Sequence, residues 1–340
     1  MDKISGLSDD LLVKILSFVP TKVAVSTTVM SKRWECLWMW VPTLEYDDFE
    51  DINTDIKDMY RVSVHKNLIS HRAPIIESLR LKFCLGSLQP EDIKQWVSIA
   101  VSRCVRPDSA LPSSLYTSKT LVTLKLEGNK ILVDVPPTVC LPSLTTLQLS
   151  CVTYLDEASL RMLLSNCPVL EDLVIERDTA DDNAKGLVVA VPSLQRLSLQ
   201  IDGGCCSYDG ICRNWKRQIS LLILFNNEEE SMYCSCIVFS QLKRLKLSIC
   251  NDDWSKLLFR LLKDSPKLRV LNLHRASRYQ RFDEYERSSW DNEWSVTPNC
   301  LLKTLETFEY SGCMGRPEER AFLSFFFNNA RCLKSTSILR

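Results

Sequence analysis

Apolar residues near the start of the chain recur every four positions, at Leu7, Leu11, Ile15 and Val19, with Leu12 and Leu16 alongside. That step draws a stripe down one side of a helix. Ser8 suits the cap at its start, Asp9 and Asp10 suit the positive end of the helix dipole, and Pro20 stops it. A second short helix is predicted over 21–29 and a third over 31–38. Three of the eight tryptophans, Trp34, Trp38 and Trp40, fall within this same stretch. Units below roughly 40 residues rarely fold alone without staples. Three helices this short cannot bury so much apolar surface against one another, so a partner is expected to cover the surplus. Leu11, Leu12 and Ile15 are assigned to packing between the helices, and Leu7 and Trp34 to the surface left for the partner.

The middle of the chain has a different period. The pattern apolar-x-x-apolar-x-apolar occurs at Leu121/Leu124/Leu126, Leu144/Leu147/Leu149, Leu170/Leu173/Ile175 and Leu194/Leu197/Leu199. It continues at Ile219/Leu222/Leu224, Leu242/Leu245/Leu247 and Leu268/Leu271/Leu273, with successive gaps of 23, 26, 24, 25, 23 and 26 residues. Ile76/Leu79/Leu81 and Leu305/Phe308/Tyr310 extend the series less regularly on either side. This leucine spacing at this period is that of a leucine-rich repeat. Each Leu-x-Leu core predicts a short strand with alternate side chains inward, and helices are predicted on the return path over 156–166 and 253–264. Stacked repeats bury one another's leucines, so the array is stable only as an array. A helix over 91–104 leads into no clean strand, and Gly203-Gly204 and Asp209-Gly210 mark a second irregular, turn-rich zone.

Charge and cysteine usage narrow the function classes. Lys plus Arg number 42, and so do Asp plus Glu, a balance that argues against a general nucleic-acid binder. No apolar run approaches the roughly 18 residues of a membrane helix, and no basic region followed by an apolar core opens the chain as a secretory signal would. The fifteen cysteines are expected as reduced thiols in a cytosolic or nuclear protein. Cys205, Cys206 and Cys212, with Cys234 and Cys236, come nearest to a zinc set, but no C-x-x-C pair exists and the three histidines lie far away in sequence. No metal and no cofactor is expected.

The opening Leu7-Ser8-Asp9-Asp10-Leu11-Leu12, then Ile15-Leu16, Val19-Pro20 and Ser31-Lys32-Arg33-Trp34 together resemble an F-box. The resemblance implies docking onto the small adaptor subunit of an SCF-type cullin ubiquitin ligase. Carried over by position, the adaptor-facing residues are Ile4, Leu7, Ser8, Leu16, Val23, Thr27 and Trp34. The family usually has proline where Ser8 stands, so a weaker contact is expected there. At the other end, Leu305-Glu306-Thr307-Phe308-Glu309-Tyr310, a helix over 318–330 and Asn329-Ala330-Arg331-Cys332-Leu333-Lys334 look like the FBD segment of a large plant family of F-box proteins. Compared with that family, the two irregular zones look shortened. The expected fold is α plus α/β. A three-helix F-box (1–44) and an acidic helical connector (45–70) precede a leucine-rich-repeat solenoid (71–290, irregular at 105–115 and 202–218). Its short parallel strands line the concave face, helices or loops form the back, and an FBD segment (291–340) closes it.

The family resemblance implies a non-catalytic substrate receptor, which holds the adaptor, and through it a cullin, at one end and a protein target on the repeats. Outward strand positions select Asp172, Glu176, Arg196, Arg244, Lys246, Asn272 and His274 as target-binding candidates, with an acidic patch around Asp172 and Glu176 and a basic one around Arg244 and Lys246. Ordinary solvated strand faces explain these charges equally well. A plain repeat module with degraded adaptor docking is the second class. An enzyme built on Cys250 and His274 is the third, and lacks an orienting acid or an oxyanion-forming glycine turn.

Overall fold

The computed structural model describes residues 4, 6–47, 54–74, 76–82, 92–93, 95–97, 113–128, 131–178, 189–202, 239–249, 254–275 and 296–339. The chain forms two compact units, Met1–Val169 and Leu170–Arg340.

The first unit opens with α1 (Asp9–Leu16), whose start is capped by Ser8: the Leu11 N–H donates to Ser8 Oγ at 3.4 Å. Helix α2 (Thr21–Ser26) follows and runs on as one 3-10 turn, Thr27–Val29. The expected third helix is absent; residues 32–36 are turns, and Leu37–Trp40 forms a 3-10 turn. A segment so short makes too few helical bonds to offset nucleation, so burial of Leu37 and Trp38 sets its backbone instead.

Strand β1 (Thr43–Asp47) was expected as part of an acidic connector. Its charges conceal an alternation in which Leu44 and Tyr46 point inward and Glu45 and Asp47 outward, the period of a half-buried strand. After α3 (Thr54–Ser70) come β2 (Ser78–Lys82) and β3 (Thr123–Glu127). A two-residue strand β4 (Leu132–Val133), then β5 (Thr146–Ser150), β6 (Thr153–Tyr154) and α4 (Glu157–Ser165) complete the described elements up to Val169 apart from one turn of helix, Ser113–Tyr116, and helical residues 92–93 and 95–97 within the helix expected over 91–104. Strands β1, β2, β3 and β5 pair in parallel in that order, and β4 with β6 in a separate small sheet that the leucine period did not predict.

The second unit holds β7 (Asp172–Asp178), β8 (Arg196–Asp202), β9 (Arg244–Ile249), α5 (Trp254–Lys263) and β10 (Val270–Arg275). It ends with α6 (Asn299–Lys303), β11 (Thr307–Ser311), α7 (Pro317–Asn329) and β12 (Ser335–Leu339). All six strands pair in parallel in chain order. Strand β8 pairs directly with β9; the repeat expected at Ile219–Leu224 lies outside the described residues.

Register explains the leucine spacing. Leu173, Leu197, Leu245, Leu271 and Phe308 align in one buried ladder, and Ile175, Leu199, Leu247, Leu273 and Tyr310 in the next. The first unit repeats the scheme with Leu44–Leu79–Leu124–Leu147. A second feature fixes the register. The carbonyl ahead of each strand accepts two successive amides of the next repeat: Glu171 from Gln195 and Arg196, Gln195 from Lys243 and Arg244, Lys243 from Arg269 and Val270, and Arg269 from Glu306 and Thr307. Those backbone groups would otherwise be left unpaired at the strand entrance.

Near the C-terminus the ladder turns aromatic because α7 supplies rings to pack. Phe308 lies 4.1 Å from Phe326 between ring centroids, and Phe322 packs edge-on to Trp254 at 5.4 Å. Beneath them sits a buried charge cluster. Glu319, fully buried, accepts from Arg275 at 2.9 Å, the Tyr310 hydroxyl at 2.7 Å and the Arg316 N–H at 2.8 Å. Burial alone would push the Glu319 carboxyl up, but these hydrogen bonds and the Arg275 charge outweigh it and hold the group below its ordinary value. Gly312, with φ +75°, belongs to the same knot; a Cβ there would run into the Arg275 carbonyl.

Glu319→Ala, which leaves buried Arg275 with only its longer 3.8 Å ion pair to Glu318, is expected to cost about 3 kcal/mol in urea unfolding. Because the folded carboxyl titrates below the ordinary 4.5, its contribution is complete above that pH and is lost as pH falls through the folded value. Glu319→Gln should therefore flatten the acid limb of stability against pH. An unchanged acid limb would show that the cluster does not couple to folding. Gly312→Ala should lower the thermal midpoint, since both the positive φ and the close approach oppose a side chain.

Candidate functional site: two exposed surfaces

The N-terminal cap is apolar on both sides of one helix. Leu12 and Leu16, 0% and 3% exposed, pack with Ala24, Leu37, Trp38 and Val41 into a single core. Leu11 and Ile15, on the neighbouring face, remain 49% and 46% exposed, and Phe18 beyond them 80%. From the α2 segment, Val23, Val29 and Met30 are exposed as well. The expectation that Leu11 and Ile15 pack the helices together is thus overturned, and Leu16, expected to face a partner, belongs to the core. The sequence stripe was wider than one face of the helix; the four-residue step cannot say which half turns inward.

The other adaptor-facing candidates divide similarly. Ile4, Ser8 and Val23 are exposed, whereas Leu7 and Trp34 are half-buried against the cap core. Thr27 is half-buried and its hydroxyl donates to the Ala24 carbonyl at 2.7 Å. Phe18, Val29 and Met30 were missed; their only sequence signal was an apolar content too high for the helix length.

The cap is fastened to the strands beside it. The Glu45 amide donates to the Thr21 hydroxyl at 2.9 Å, and the Arg72 and Ala73 amides donate to the Met39 carbonyl. His71 Nε2–H donates to the Val41 carbonyl at 2.9 Å, and burial, outweighing that bond, holds the imidazole below its ordinary pKa. Arg33 reaches back to the Asp9 carboxylate at 2.8 Å, bridging both ends of the cap. Exposed ion pairs of this kind add little stability.

The second surface is the outward face of β7–β11. Strand register places the expected residues in three rows: Asp172–Arg196–Arg244, Ser198–Lys246–Asn272–Glu309 and Glu176–Gln200–Ser248–His274. The acidic patch is weaker than expected, because the Asp172 carboxylate is taken by an ion pair with Arg196 on the neighbouring strand. Arg244 and Lys246 are exposed as expected. Asn272 is half-buried, with Oδ1 lacking a hydrogen-bond partner among the described residues. His274 Nδ1 shares a 2.9 Å hydrogen bond with Ser311 Oγ.

Chemistry fares poorly by comparison. Cys250 lies outside the described residues, so its pairing with His274 has no geometry behind it. Burial pushes the Cys167 and Cys300 thiols up to about 12, which disfavours the reactive thiolate. Cys151, expected as a free thiol, is disulfide-bonded. Among the described residues no cluster of histidine, cysteine and acidic side chains could hold a metal ion, and no helix is long and apolar enough to cross a membrane.

Comparison with known proteins gives these surfaces a family. Residues 4–46 match the F-box domain, residues 81–209 the LRR repeats of the FBD-associated F-box protein At5g56370, and residues 292–338 the FBD family. The FBD-associated F-box protein At5g60610 of Arabidopsis thaliana is 47% identical over 394 aligned positions, covering 99% of this chain and 100% of the relative. The putative FBD-associated F-box protein At5g56700 of the same plant is 50% identical over 393 positions, covering 100% of this chain and 98% of the relative. These alignments are longer than the 340 residues of this chain, so the relatives carry segments that it lacks. The chain belongs to the FBD-associated F-box proteins, with an F-box, leucine-rich repeats and an FBD segment in that order.

Proposed function

We propose that this protein is a non-catalytic substrate receptor of an SCF-type cullin ubiquitin ligase. The cap docks on the small adaptor subunit, the repeats hold a protein target, and the FBD segment closes the end of the array. The observation that carries the reading is the exposed apolar surface of the cap. Val29, Phe18 and Met30, at 89%, 80% and 69% exposure, sit on a unit too small to turn them inward, and so much exposed apolar surface on one small unit marks a protein interface. Ile4, Leu11, Ile15, Phe18, Val23, Val29 and Met30 are the contacts we assign to the adaptor. Leu7, Thr27 and Trp34 support them from beneath, and Ser8 serves by starting α1.

The mechanism is tethering. Bringing a target and a charged ubiquitin carrier into one assembly replaces a bimolecular encounter with an effective concentration on the order of millimolar. No residue of this chain need form or break a bond for that to work. The receptor works from the cytosol, the nucleus or both.

Leu11→Glu with Ile15→Glu should remove adaptor binding, a loss of about 2 kcal/mol or more if these are central contacts, while the thermal midpoint stays close to that of the parent. Leu12→Ala should instead destabilise the cap by about 2–5 kcal/mol. Affinity capture with the full chain and with a version lacking residues 1–44 separates the two partners. Ligase subunits should disappear from the shorter protein and targets should remain. A folded full chain that captures no adaptor would leave only a repeat module without a ligase.

A further inference from the structure

Three neighbouring strands of the second unit gather cations into one column at their entrance ends, where none of the three carries an acid. On β9, Lys243 stands at the strand entrance and Arg244 and Lys246 follow, all three exposed. Register sets Arg196 of β8 directly beside Arg244. Backbone bonds from Arg269 and Val270 to the Lys243 carbonyl bring exposed Arg269 alongside Lys243. Strands lie about 4.8 Å apart, and like charges facing each other across that gap repel.

Most acids of this face stand on the outer strands, Glu171, Asp172, Glu176 and Asp178 with β7 and Glu306 and Glu309 with β11; Asp202, the last residue of β8, lies at the far end of that strand from Arg196. Two of them are already engaged, Asp172 by Arg196 and Glu306 by Lys334 at 3.2 Å. Among the described residues, Arg244, Lys246 and Arg269 have no carboxylate partner.

We propose that this column binds an extended acidic segment of the target, with aspartate or glutamate carboxylates over Arg244, Lys246 and Arg269. The proposal rests on the reading of the repeats as the target-holding part. Arg244 and Lys246 are alternate residues of one strand, about 7 Å apart along it. That is also the distance between alternate side chains of an extended peptide, so successive acids meet successive cations. A single phosphate spans only one of the two. Acids on β7 and β11 repel a segment that strays sideways, which fixes its path more than its affinity.

The test is fluorescence anisotropy of the full chain with a labelled decapeptide alternating Glu and Ser. Parallel arms replace Glu by Lys, or carry the same charge as phosphoserine between alanines. The Glu peptide should bind, weaken as salt rises, lose at least about fivefold with Arg244→Gln and Lys246→Gln together, and fail with both changed to Glu. Lys303→Glu, at the exposed last residue of α6, should leave it unchanged, and the Lys peptide should not bind. No binding of the Glu peptide, equal binding by the charge-reversed chain, or tighter binding of the phosphoserine peptide would each overturn the proposal. If targets captured through the repeats are not displaced by the Glu peptide, the receptor reading stands and this proposal falls. If the peptide binds yet the repeats capture no target, the receptor reading falls and the acidic-segment site stands.

Discussion

Burial on one side of an eight-residue helix governs what this protein presents to others. Leu12 and Leu16 are claimed by the cap core, and once they turn inward the geometry of the helix commits Leu11, Ile15 and Phe18 to solvent. The cap cannot reverse that choice, because α2 and the turns after it have their own apolar side chains to hide. Its exposed surface is also held in place, since Thr21, Met39 and Val41 bond to the strand and loop beside them. A partner therefore meets a preformed surface, and little of its binding energy is spent on ordering the site.

The leucine ladders fix a second exposed surface. The leucine positions of the ladders, with Tyr46, Phe308 and Tyr310 among them, face inward and carry the packing, which leaves alternate outward positions free to vary in charge without loss of fold. Repeating one carbonyl that accepts two amides at each strand entrance keeps the rows in register, so side chains far apart in sequence, such as Arg196 and Arg244, become neighbours. The same register pairs Asp172 with Arg196 and leaves the cations of β9 in the middle of the face.

Much of this was legible in the sequence because the repeat signal is periodic and its cause local. Every described strand with a Leu-x-Leu core formed where that pattern stood, and the helices beginning at Glu157 and Trp254 followed from their apolar spacing. The repeat expected at Ile219 lies outside the described residues. What failed depended on tertiary choice. Strand β1 was hidden by its acidic residues, and the 3-10 turn at Leu37–Trp40 replaced a helix because packing outweighed a weak local preference. On α1, periodicity found the apolar residues but not which half of them would be buried. The Arg275–Glu319–Tyr310 cluster left no sequence signal, as its members are separated by 9 to 44 positions.

Hydroxyl-radical footprinting of the full chain, alone and with the purified small adaptor subunit, tests most directly whether the cap's outward grease is an adaptor surface. Phe18 and Met30 should lose most of their labelling when the adaptor is added, while Met314, exposed near the other end of the chain, keeps its own. Equal labelling of Phe18 and Met30 at saturating adaptor would mean that another surface makes the contact, or that none does.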